Sequence, residues 1–176
     1  MSKRIIITGL LCIVLAACTD QTKNKAEAQS PVINIADQID KGRYLAIVSG
    51  CNDCHTDGYL MTEGKIPEEQ WLAGTRIGWQ GPWGTTYPSN LRLRVQQWTE
   101  DQWVETLKTR KALPPMPWMN ISQMNEEDLR AIYQYIRSLG PTGKEMPLAV
   151  APGVMPITPY LSLFPQNLPQ ANALEE

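Results

Sequence analysis

The string Cys51-Asn52-Asp53-Cys54-His55 constrains this chain more than any other feature, because His55 is its only histidine. No metal site with two histidines can be built from one such chain, so whatever imidazole chemistry it performs falls to His55. The four cysteines are Cys12, Cys18, Cys51 and Cys54. A pair separated by two residues makes no disulfide framework, so the cysteines point to chemistry rather than to cross-linking. A length of 176 residues suits one domain with tails, and a net charge of −2 without a basic block argues against a nucleic-acid partner.

The first residues prescribe a compartment. Lys3 and Arg4 precede an apolar run from Ile5 to Ala17, which is too short for a membrane span of about 20 residues and fits a secretory signal. The run ends Leu15-Ala16-Ala17-Cys18, which resembles a bacterial lipoprotein box. The resemblance implies that residues 1–17 are removed and that Cys18 is lipidated, anchoring the chain on the periplasmic side of a bacterial membrane. Several acyl chains on one residue give durable anchoring. Cleavage removes Cys12 together with two basic residues, and lipidation leaves Cys51 and Cys54 as the one remaining pair.

In an exported chain, C-x-x-C-H reads as the attachment site of a covalent c-type haem. The two thiols add to the haem vinyl groups as thioethers. The fixed spacing then brings the next imidazole to one face of the iron, with His55 Nε2 as proximal ligand. A thioredoxin-like dithiol is disfavoured because no βαβ pattern surrounds the pair. A zinc site lacks a fourth ligand, because no second histidine or free cysteine remains.

The surrounding chain reads as helical. Residues 37–49 are amphipathic, with Leu45 and Val48 on one face, Gly42 one turn earlier and Gly50 as a stop. Pro67-Glu68-Glu69 opens a short helix ended by Gly74. Thr99 and Gln102 make a capping box, flanked by Trp98 and Trp103 at staple positions. Asn125 precedes three acidic residues and the stripe Leu129, Ile132, Ile136 and Leu139, with Met124 as a staple and Gly140-Pro141 as the stop. Residues 75–90 read as a loop, and no alternating pattern of useful length predicts a sheet.

An iron held by His and Met suits an electron carrier. Met61 follows His55 too closely to reach the opposite face, Met124 serves as the staple, and Met146 and Met155 fall in the tail. Met116 and Met119 remain. Pro114-Pro115-Met116-Pro117 is a stiff loop, because proline fixes φ, and that favours Met116 with Met119 as second choice.

Residues 37–140 resemble a small bacterial monohaem cytochrome c of the class I type. The matching strings run in order. Gly42-Arg43-Tyr44-Leu45 precedes the Cys51–His55 motif, and Trp71-Leu72-Ala73-Gly74, Gly81-Pro82-Trp83-Gly84 and Tyr87-Pro88-Ser89-Asn90-Leu91 follow it. Trp98-Thr99-Glu100-Asp101, Pro115-Met116-Pro117-Trp118 and Asp128-Leu129 complete the set. The resemblance implies an all-α fold packed around one covalent haem c and used for single-electron transfer. It implies that α-helices cross at Gly42 and that Met116 is the sixth ligand. It further implies that the Trp98 indole donates to a haem propionate and that Pro67 supplies the carbonyl for His55 Nδ1–H. The doubled prolines and Trp118 depart from the simplest family loop, which leaves the register around Met116 open.

Three functional readings follow. The first is a carrier between a dehydrogenase and an oxidase or soluble carrier. The second is a dedicated electron-transfer subunit of a dehydrogenase complex. The third is a haem-based sensor or peroxidase with an open sixth site. The carrier itself performs no catalysis. Residues 18–33 are polar and small and read as a flexible tether. Residues 34–140 read as the domain, and residues 141–176, with seven prolines, as a C-terminal extension that packs on the domain or docks a partner. Arg92, Arg94, Lys108, Arg110 and Lys111 are candidates for a positive docking face.

Overall fold

The computed structural model describes residues 34–166. The proposed signal, tether and lipidated Cys18 lie outside the described residues.

Helix α1 (Ile35–Val48) starts at Asn34, whose side chain accepts from Ala36 N–H, and helix α6 (Glu126–Ser138) starts at Asn125. These two helices form the largest interface between elements. The stripe on α6 is buried as its periodicity requires: Leu129, Ile132 and Ile136 are core residues, joined by Tyr133 and Tyr135. Gly42 lies against the Ala131 carbonyl, and any Cβ there would overlap it. That contact explains a glycine in mid-helix, where its intrinsic cost is up to about 1 kcal/mol against alanine.

Helix α4 (Glu100–Thr109) carries the complete capping box between Thr99 and Gln102, and its Trp103, Val104 and Leu107 are buried. Trp98 packs against Trp103 with ring centroids 6.5 Å apart. Trp103 Nε1–H donates to the Leu129 carbonyl at 3.0 Å, tying α4 to α6. Two helices were not legible. Helix α3 (Leu91–Gln97) is capped by Asn90, and helix α5 (Trp118–Ile121) is a single turn. The expected helix after Pro67 is only a 3-10 turn over Glu68–Gln70.

The expectation of an all-α fold needs correction. The chain is mostly helical but carries a small sheet. Strands β1 (Gly78–Gly81) and β2 (Gly84–Thr86) form an antiparallel hairpin, and β3 (Tyr160–Ser162) joins β1 in parallel. The hairpin was missed because its strands are too short and too glycine-rich to show alternation. It is held from both edges by the C-terminal extension. Val150 and Thr85 exchange backbone hydrogen bonds of 2.9 and 2.8 Å on the β2 side. On the β1 side, Gly78 N–H donates to Pro159 O at 2.9 Å and Leu163 N–H to Gln80 O at 2.7 Å. Residues 141–166 therefore lie along the domain, and Asn90 Nδ2 reinforces this by donating to Thr142 O at 2.7 Å.

Candidate functional site

The site is built around helix α2 (Cys51–His55), a single turn following α1. Gly50, at φ 68°, makes the bend between them. Positions 51, 54 and 55 are related by three- and four-residue steps, so Cys51, Cys54 and His55 share one side of the turn. Asn52 and Thr56 hold the other side. The buried Thr56 hydroxyl donates to Asn52 Oδ1 at 2.6 Å and accepts from Leu72 N–H at 2.8 Å.

Both cysteines are free thiols. Burial, and then the Asp53 carboxylate, pushes the Cys51 pKa up to about 11 and raises that of Cys54 as well. The thiols are therefore protonated at neutral pH and poor thiolate nucleophiles, unlike a reactive dithiol. Among the described residues, no group of three or more His, Cys, Asp or Glu is placed to hold a metal ion.

His55 is buried, and its Nδ1 stands 2.7 Å from the Ser89 carbonyl. A carbonyl only accepts, so Nδ1 carries the proton and Nε2 keeps its lone pair. Desolvation by burial lowers the His55 pKa and so favours the neutral ring, while the hydrogen bond to Ser89 acts in the opposite direction. The His55 carbonyl accepts from Gly74 N–H at 2.7 Å, fixing the backbone as well as the ring. Gly74 lies where three segments meet: a Cβ there would stand 2.6 Å from Met146 Cγ and 2.9 Å from both Asn90 N and Pro88 O.

The expected acceptor, Pro67, is corrected by this geometry. Its carbonyl instead accepts from Gln70 N–H at 2.9 Å, closing the 3-10 turn. Ser89 was not foreseen, and no residue-type signal announces it, because the group used is a backbone carbonyl. Its position follows from Asn90, which starts α3 immediately after it.

The two candidate thioethers differ in burial. Met116 packs against the core, whereas Met119 is 72% exposed. The Met116 loop is tied to the hairpin, because Thr86 Oγ1 donates to Pro114 O at 2.7 Å. Trp98 sits at the α3–α4 junction between Trp103 and the Arg94 guanidinium, which lies 5.4 Å from its ring. The candidate positive face is smaller than the sequence suggests. Arg92 is buried, its guanidinium donating to Gly140 O, Glu69 O and Leu139 O, and Lys108 Nζ donates to Met124 O at 2.9 Å.

The donor set fits a c-type haem. Two free thiols and a neutral imidazole with an unshared Nε2 pair stand on one helical turn. The Nδ1 hydrogen bond to a carbonyl is the outer contact that orients such a ligand and raises its basicity.

Comparisons with known proteins agree. The chain is 26% identical over 139 residues to the fructose dehydrogenase cytochrome subunit of Gluconobacter japonicus, a match covering 73% of this chain and 26% of that protein. It is 27% identical over 140 residues to the cytochrome c subunits of alcohol dehydrogenase (quinone) from Gluconacetobacter polyoxogenes and Komagataeibacter europaeus, covering 74% of this chain and 28% of each. The chain thus spans about a quarter of the length of the curated relatives it matches. No family profile and no solved structure matches it. The relatives are cytochrome subunits of dehydrogenases by name, and the similarity supports a cytochrome c.

Proposed function

We propose that this chain is a monohaem c-type cytochrome that carries single electrons for a dehydrogenase, tethered at Cys18 to the periplasmic side of a bacterial membrane. The observation that carries this reading is the state of His55. Its Nδ1–H is committed to Ser89 O, and its Nε2 lone pair is free, one residue beyond the second of two free thiols. The similarity to dehydrogenase cytochrome subunits favours a dehydrogenase as electron donor over the sensor or peroxidase alternative. Among the described residues, no helix is long and apolar enough to cross a membrane, so membrane attachment in this reading rests on the lipid.

Each residue has a defined task. Cys51 and Cys54 would hold the haem covalently, their thiols supplying the sulfur of two thioether links. His55 Nε2 and the Met116 thioether would be the groups that ligate its iron. The haem, when bound, supplies an iron that alternates between Fe(II) and Fe(III). The protein holds the ligands still and keeps the surroundings dry.

The full chain, expressed with haem-attachment machinery, should retain haem absorbance after denaturation, and should lose that retention in Cys51→Ala/Cys54→Ala. Met116→Ala should abolish the weak long-wavelength ferric band of a methionine–iron bond and open the reduced protein to carbon monoxide, while Met119→Ala should do neither. Rapid carbon monoxide binding by the unsubstituted reduced protein would instead indicate an open sixth site and favour the sensor or peroxidase reading.

A further inference from the structure

Backbone groups hold His55 at two points. Its Nδ1–H donates to Ser89 O at 2.7 Å, and its own carbonyl accepts from Gly74 N–H at 2.7 Å. Behind both points lies one short stretch of the C-terminal extension, residues 142–146. The Ser89 carbonyl belongs to the peptide unit that ends at Asn90 N, and that unit is planar, so what holds Asn90 in place also aims Ser89 O. Asn90 is completely buried. Its Oδ1 caps α3 by accepting from Leu93 N–H at 3.1 Å, and its Nδ2 donates to Thr142 O at 2.7 Å and to Lys144 O at 3.2 Å.

The extension is shaped for this grip. Gly143, at φ 71°, makes a left-handed turn that brings the carbonyls on either side of it to one amide group, and a Cβ there would stand 3.2 Å from Asn90 Nδ2. Three residues on, Met146 covers the second point, its Cγ 2.6 Å from where a Cβ of Gly74 would stand. Between them, Glu145 accepts from Gln97 Nε2 at 3.0 Å and pairs with Arg94 at 3.8 Å, which fastens the stretch to α3. Capping a helix uses only the asparagine oxygen. The two Nδ2 donations serve a different purpose: they bind the extension to the peptide unit that orients the imidazole.

We infer that Asn90 is a positioning residue for the histidine ligand, and that residues 142–146 are the strap through which it sets the strength of the bond from His55 Nδ1–H to Ser89 O. This rests on the haem reading above. A firm bond from Nδ1–H to a carbonyl makes the imidazole a stronger donor through Nε2, and a stronger donor favours Fe(III). Seating the strap therefore lowers the reduction potential, and loosening it raises the potential. The extension then tunes the electron carrier itself, in addition to completing the sheet.

The test compares full-length haem-loaded protein with three variants. Asn90→Ser keeps a side-chain oxygen to cap α3 but is too short to reach the strap, Met146→Ala uncovers Gly74, and a chain ending at Pro141 lacks the strap altogether. The reduction potential should rise in all three, most in the shortened chain, where the one-electron equilibrium should shift about tenfold toward Fe(II), or ~59 mV. Combined with Met116→Ala, each reduced variant should also show a lowered iron–histidine stretching frequency. An unchanged potential in the haem-loaded shortened chain, even with a lower unfolding midpoint, shows a merely structural strap and overturns the assignment while the haem reading stands. If shortening prevents haem attachment, hydrogen exchange in the unsubstituted protein decides. His55 Nδ1–H and Gly74 N–H should exchange together with the Asn90 side-chain amide and faster than the α6 core. Exchange of the two only with α6, long after the Asn90 amide, overturns the assignment. Lack of covalent haem in the unsubstituted protein overturns the underlying reading itself, and this assignment with it.

Discussion

Gly42 on α1 lies against the Ala131 carbonyl of α6, and Gly84 on the hairpin lies against the Val150 carbonyl of the C-terminal extension. The two approaches are equally close, yet they hold different kinds of structure. Around Gly42, the apolar faces of two long helices bury Ala46, Leu129, Ala131 and Ile136 completely. Around Gly84, the contacts are backbone hydrogen bonds, and the strand on the far edge, β3, is exposed at every residue. The helical frame is stabilised by apolar burial, which scales with area and needs only the right periodicity. The hairpin depends on a segment some 70 residues further along the chain to satisfy its edges. This difference matters for function, because the hairpin and the link after it carry the Ser89 carbonyl and the Thr86 tie to the Met116 loop.

Substitutions should separate the two regions. Gly42→Val drives methyl groups into the Ala131 carbonyl and forces α1 and α6 apart. It should cost about 3 kcal/mol or more in denaturant unfolding, the largest effect expected, and should affect the whole molecule. Asn90→Ala removes the α3 cap and the bonds to Thr142 O and Lys144 O. A loss of about 2 kcal/mol follows, centred on the junction of the two regions. A global loss near zero would mean that water replaces those contacts freely.

Ending the chain after Met146 removes Val150 and β3 but leaves the helices complete. Amide exchange at Gly78 and Thr85 should then rise about fivefold, at about 1 kcal/mol per lost hydrogen bond, with α6 amides unchanged. Equal loss of protection in α6 would show that the two regions unfold as one. The smallest effect lies within the frame. Tyr135 donates to Glu68 Oε1 at 2.8 Å, and Arg43 pairs with the same carboxylate at 3.0 Å. Tyr135→Phe should cost about 1 kcal/mol at neutral pH. Burial first, and then the bond to Glu68, raises the Tyr135 pKa above its ordinary value of 10.0. The unfolded chain therefore releases this proton at a pH where the folded protein still holds it. Tyr135's contribution to stability is constant below about pH 10 and falls as pH rises beyond it, a slope that Tyr135→Phe should lack.

What could be read in advance follows the same division. The capping box at Thr99 and the α6 stripe from Leu129 to Ile136 were legible, because each is written in neighbouring residues or in a helical period, whereas the close crossing at Gly42 came from the family resemblance. The hairpin was not, because four- and three-residue strands containing Gly78, Gly81 and Gly84 carry no usable alternation. Pro67 was expected, from its spacing in the family resemblance, to accept the hydrogen bond of His55 Nδ1–H, and spacing along the chain says nothing about which carbonyl turns toward a ring. Arg92 was read as a surface charge, since no local signal distinguishes a solvated arginine from one that closes the end of a helix.

By itself, then, the sequence determined the chemistry on offer: two thiols and one imidazole at fixed spacing, a single histidine, and helices whose boundaries are set by caps and periodicity. Those features are local, and local sterics and hydrogen bonding suffice to specify them. Only the tertiary structure decided which carbonyl orients His55 and that Met116 rather than Met119 packs against the core. These depend on burial and on the direction of backbone groups brought together from distant parts of the chain, and no pattern of residue types records them.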